Sequence, residues 1–167
     1  MIKKNLLKTA ALPVALLCLS SSVMAATAVS TINVTVARYL SITNTSSMEF
    51  GSVMASTTAG SVVLGTNGMR SATGGVDINP ADSYTPAKFI IEGTPNASFS
   101  IKLPNNIELR DSNGNRIEIN NFKSSHQEGL LNANGALEIT VGGQINLDPN
   151  QTSGDYSGTI VVELIYG

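Results

Sequence analysis

The chain has no tryptophan, one cysteine and one histidine, and only 5% of its 167 residues are aromatic. Each shortage removes a class of function. One cysteine, Cys18, cannot form an internal disulfide, so stability has to come from a packed core and from strand ladders. A lone histidine, His126, with no cysteine beyond position 18 leaves no His/Cys set for a zinc or copper centre. Charge is sparse as well, at 13% of residues. The basic side chains are scattered singly, so there is no stripe to neutralise phosphates, and nucleic acid is not an expected partner. After the first 25 residues no run is apolar over the roughly 18 positions that a membrane-spanning helix requires. No stable membrane insertion of the mature chain is expected.

The opening segment has a different composition from the rest. Lys3, Lys4 and Lys8 form a basic start, Ala10 to Leu19 is apolar but short, and Val23 and Ala25 sit at the small-residue positions of a cleavage site. This pattern predicts a secretory signal peptide over residues 1–25. Its removal takes ten basic residues to seven against twelve acidic ones, a net charge of −5. About 140 residues remain, which suits one domain with a single core.

In that mature part, apolar and polar residues alternate with period two between clusters of Gly, Pro, Asn, Asp and Ser. Strands are expected at Ile32 to Val36, Leu40 to Ile42, Met48 to Val53, Ser61 to Leu64 and Val76 to Ile78. Further strands are expected at Lys88 to Glu92, Ser98 to Leu103, Ile107 to Arg110 and Ile117 to Ile119. Leu137 to Val141, Gln144 to Leu147 and Thr159 to Tyr166 complete the series. Asp111 to Asn115, with its Asn-Gly pair, reads as a hairpin turn, and Gly142-Gly143 reads as another. The small, polar tracts Ser52 to Gly60 and Gly65 to Gly75 are expected to be exposed connections. No stretch carries a sustained helical stripe. An all-β, immunoglobulin-like β-sandwich of about ten short strands is the expected fold.

Candidate chemistry is thin. His126 lies among Ser125 and Gln127 in a polar segment, where proximity to a hydroxyl needs no catalytic explanation. Asp111-Ser112-Asn113-Gly114-Asn115 resembles the start of a calcium loop, but Arg116 stands where glycine is needed and Phe122 where the bidentate glutamate belongs. No phosphate-binding glycine loop precedes a helix, and no catalytic, cofactor-binding or metal-binding residue is assigned. The protein is not expected to be an enzyme or to carry a cofactor.

Assembly is better signalled. From Ala26 the chain is small and β-branched, with Ala28, Ser30, Ile32, Val34 and Val36 on one face of an extended strand and mostly hydroxyls on the other. The last strand places Ile160, Val162, Leu164 and Tyr166 on one face and stops at Gly167. Ahead of it stands Gly154-Asp155-Tyr156-Ser157-Gly158. Gly154 at the fourteenth position from the end and a penultimate Tyr166 resemble the C-terminal signature of bacterial chaperone–usher pilins. Together with Leu40-Ser41-Ile42, Glu49-Phe50-Gly51, Arg70 to Val76, and Gly93 to Ile101, the pattern is similar to a pilin-like exported domain family of formally unknown function.

That resemblance implies a pilin-like sandwich short of one strand and completed by a donor strand from a sister molecule. It implies a signal peptide over 1–25, a donor extension over 26–38 and a sandwich over 39–167. The donor residues would be Ala28, Ser30, Ile32, Val34 and Val36. The acceptor edge would include Gly154, Tyr156, Ile160, Val162, Leu164, Tyr166 and Gly167. Implied partners are neighbouring copies or related pilus subunits, a periplasmic chaperone and an outer-membrane usher. The implied location is the periplasm and then a cell-surface fimbrium serving adhesion or biofilm formation. Two features depart from such pilins: the mature chain has no cysteine, and no glycine precedes Gly51 in the donor region. The alternative is a self-complete secreted or periplasmic sandwich that binds a ligand, with residues 26–36 as its own first strand.

Overall fold

A computed structural model of the chain describes residues 30–36 and 39–167; the expected leader, its cleavage point and Ala28 lie outside the described residues. Ten strands follow in order: β1 (Leu40–Ser46), β2 (Val53–Leu64), β3 (Arg70–Ile78), β4 (Ala87–Gly93), β5 (Ser98–Lys102), β6 (Asn106–Arg110), β7 (Arg116–Ser124), β8 (Glu128–Leu130), β9 (Ala136–Leu147) and β10 (Glu163–Tyr166). Every ladder is antiparallel. They form a seven-stranded sheet, in which β9 pairs with β4, β2 and β7, and a three-stranded sheet of order β10-β5-β8. The result is an open, non-barrel sandwich of immunoglobulin-like type, as expected.

Period-two alternation builds the interior. On β4, Ala87, Phe89 and Ile91 point inward while the residues between them are exposed or half-buried; on β9, Ile139, Val141, Ile145 and Leu147 keep one phase along the whole strand. Such alternation is what a sheet with one covered face requires. The buried residues group into two clusters, one around Ile91, Phe99 and Ile139 and the other around Val62, Ile119 and Ile145. Among the described residues no polar or charged side chain is buried.

Several expectations need correction. Gly142-Gly143 makes no turn, because β9 runs straight through it for 12 residues. The reason is close approach: a Cβ on Gly142 would lie 2.2 Å from the Leu64 carbonyl oxygen. Here glycine admits a neighbouring backbone instead of reversing the chain. The tracts Ser52 to Gly60 and Gly65 to Gly75 are not mainly connections, since most of them belongs to the β2–β3 hairpin. Hydroxyls pair across that ladder, as those of Ser61 and Thr73 do at 3.0 Å, so small polar residues suffice on a hairpin with little to bury.

The strand expected over Met48 to Val53 is a loop as far as Ser52, and β2 begins only at Val53. Within that loop only Glu49 bridges, to Thr85, and Gly51 has φ +69°, which breaks the run. In the last expected strand the ladder begins only at Glu163, and Thr159 to Val162 carry none. The short β8 has no counterpart among the expected strands; three residues beside β5 leave little periodic signal. Asp111 to Asn115 does close the β6–β7 hairpin.

Candidate functional site

The sandwich is open along one side. β1 has a ladder with β4 alone, and β10 has one with β5 alone, so each keeps an edge without a strand partner among the described residues. β1 and β10 approach each other without pairing. Beyond that approach a cleft of about 1350 Å³ opens between the segment 47–55 and the segment 151–160. Its floor includes Ile107, Leu109, Ile117 and Ile145 from the seven-stranded sheet, and Phe50 and Tyr156 stand on its opposite walls. Met48, Phe50, Val53, Ile107 and Leu109 pack on the second core cluster yet are only partly buried. A sandwich normally covers such residues with its facing sheet. Here part of the core faces the cleft.

The wall at 151–160 has no ladder of its own; Ser157 and Arg110 of β6 exchange backbone bonds of 3.0 and 2.9 Å, and side chains fix the rest of its shape. Tyr156 donates its hydroxyl to the Thr152 carbonyl oxygen at 2.6 Å and accepts a bond from Gln151 Nε2 at 3.0 Å. Gln151 Nε2 also donates to the Arg116 carbonyl oxygen at 3.0 Å, which ties the wall to β7. A tyrosine that bonds back to the backbone a few residues upstream is a recurring corner device in sandwiches. Gly154 rests against the β6–β7 turn, where a Cβ would lie 3.0 Å from Asp111 Oδ2. That carboxylate accepts from the Asn113 and Asn115 amides at 2.9 and 2.8 Å and from Asn115 Nδ2 at 2.7 Å. These bonds, the Asn115 side chain foremost, hold its pKa below the ordinary 3.8.

The residues singled out in the sequence divide between two places. Gly154, Tyr156 and Ile160 line the cleft. Val162 and Leu164 pack, with Ile160, on the first core cluster. Tyr166 faces Phe99 in the β10–β5 ladder, and the Gly167 carbonyl oxygen accepts the Ser98 hydroxyl at 2.8 Å. Ser30 to Val36 carry no strand, and Ile32, Val34 and Val36 are 91%, 83% and 87% exposed. The floor residues Ile107 and Leu109 are legible in the sequence as apolar strand positions but not as part of an opening. His126 sits on an exposed turn, its Nδ1 3.1 Å from the hydroxyl of the adjoining Ser125. Among the described residues no group of three or more His, Cys, Asp or Glu could hold a metal ion, and no helix is long and apolar enough to cross a membrane.

Two antiparallel sheets around an apolar core that stays open along one side make this a pilin-like β-sandwich. Residues 40–166 match DUF4402, a domain of unknown function, and the chain belongs to that family. The domain is structural rather than catalytic. No curated protein and no solved structure matches the chain.

Proposed function

We propose that the protein is a fimbrial subunit that assembles by donor-strand complementation. The observation that carries this reading is the cleft with an apolar floor that opens beside β1, whose outer edge meets no strand among the described residues. Residues 26–38 of one copy would enter the cleft of the next, with Ile32, Val34 and Val36 as anchors and Ala28 and Ser30 on the same face. Gly154, Tyr156 and Ile160 would meet the donor in the cleft, while Val162, Leu164, Tyr166 and Gly167 extend the acceptor edge.

The energetics support such an exchange. Three branched side chains that begin largely exposed would gain about 1.5–3 kcal/mol each on burial, roughly 5–9 kcal/mol together. Ladder hydrogen bonds along the outer edge of β1 would add about 1 kcal/mol net apiece. Donor and acceptor surfaces differ, so the contact is heterologous and propagates into a filament instead of closing. An unpaired edge beside exposed core is an aggregation hazard. A periplasmic chaperone and an outer-membrane usher are therefore the partners this reading requires before the subunit reaches a surface fimbrium, where it would serve adhesion or biofilm formation.

The test is Val34→Asp. Size-exclusion chromatography of the mature chain should show polymers for the parent and none for the variant, with the variant still folded. Polymers formed equally by Val34→Asp would overturn the proposal. So would a purified monomer that melts much lower with the substitution, because Val34 would then belong to its own core.

A further inference from the structure

Arg70 opens β3 and does not line the cleft, yet it joins the two loops that form one of its walls. Its Nη1 donates to the Phe50 carbonyl oxygen and its Nη2 to the Asn79 carbonyl oxygen. The guanidinium lies 4.3 Å from the centre of the Tyr84 ring. Around it, Asp82 accepts the Ser52 amide at 3.0 Å and the Asn79 side-chain amide at 2.9 Å. Glu49 and Thr85 exchange backbone bonds of 2.8 and 2.9 Å. The loop that carries Phe50 is thereby fastened to the segment 79–85, and Phe50, Ser52 and Asp82 all line the cleft.

Gly51 belongs to the same arrangement. Its φ is +69°, and a Cβ there would lie 2.6 Å from Arg70 Nη1. The glycine thus leaves the guanidinium room to reach the Phe50 carbonyl. A planar fork with fixed donors can bridge two carbonyls while stacking on a ring; a lysine ammonium is a single point and cannot do all three.

We propose that Arg70 is a positioning residue for donor capture, holding the Phe50 wall of the cleft in the shape that receives the strand. This rests on the donor-strand reading. A wall fixed in advance spares the incoming strand the cost of ordering it, so loss of the clasp acts on capture through the fraction of molecules whose cleft is competent.

The experiment uses the full mature chain carrying Val34→Asp, which disables its own donor, and a fluorescent peptide of residues 26–38 as the probe. Arg70→Lys in that background should slow association about tenfold, the effect of a wall that is competent about one tenth of the time. The dissociation rate of peptide already seated should stay the same, whereas a merely structural loss would speed it. Asp82→Asn releases the same loop from its other side and should slow association in the same direction. It carries the test if Arg70→Lys does not fold. Capture by the Val34→Asp chain and by both further variants at one rate would overturn the role of Arg70 and leave the donor reading standing. No capture by the Val34→Asp chain itself would overturn both.

Discussion

The two halves of the core share the strand β9 and end differently. β9 sends Ile139 and Val141 into one cluster and Ile145 and Leu147 into the other without changing phase. Around Ile139 the three-stranded sheet supplies Phe99, and the half-buried Leu164 closes over it. Around Ile145 the facing side is the segment 151–160, which has no ladder, and the cleft lies between. The floor of the open half is built from apolar side chains as well, among them Ile107, Leu109, Ile117 and Ile145. What differs is coverage: in the open half, among the described residues, the chain lays no strand across the apolar sheet face.

Mutation should separate the halves. Ile139→Ala removes a fully buried side chain from the closed half and should cost about 2–5 kcal/mol in urea unfolding. Leu109→Ala, on the cleft floor, should cost about 1 kcal/mol in the monomer, because the side chain is only partly buried. Equal losses would break the distinction between a closed and an open half. The comparison sharpens if Leu109→Ala weakens polymers more than monomers.

Smaller effects concern the wall. Tyr156→Phe deletes the hydroxyl that bonds Thr152 and Gln151 and should lower stability by about 1 kcal/mol, read as a shift in the unfolding midpoint without a change in slope. The smallest effect comes from Asp111, beside Gly154. Its folded pKa lies below the ordinary 3.8, so the carboxylate contributes stability that is present above that value and lost as the pH falls through the folded one. Stability of the parent should decline more steeply than that of Asp111→Asn below about pH 3.8. Parallel acid profiles would remove Asp111 from the account.

Much of this is legible in the residues. The alternation at Lys88 to Glu92, Ile107 to Arg110 and Leu137 to Val141 identifies strands that the fold contains, and Asp111 to Asn115 identifies a hairpin turn. Local chemistry misleads where its meaning depends on a distant neighbour. Gly142-Gly143 resembles a turn until Leu64 is seen against it. Ser52 to Gly60 resembles a loop until Ile78 and Gly74 pair with Val53 and Gly60 near its ends. For the site, Gly154, Tyr156 and Ile160 stand out in the sequence itself and Phe50 belongs to the Glu49-Phe50-Gly51 pattern, whereas Ile107 and Leu109 are recognisable there only as apolar strand residues.

Alternation along the chain was enough to settle the all-β class and which side chains turn inward, because a strand's own geometry sends successive residues to opposite faces. Where the interior is covered and where it is left open could not be read that way. It depends on pairings between segments far apart: β10 with β5, Arg70 with Phe50, and a wall at 151–160 that joins no ladder and meets β6 in the single bridge from Ser157 to Arg110. Those contacts exist only after the chain has folded, and they turn an ordinary run of apolar residues into a cleft.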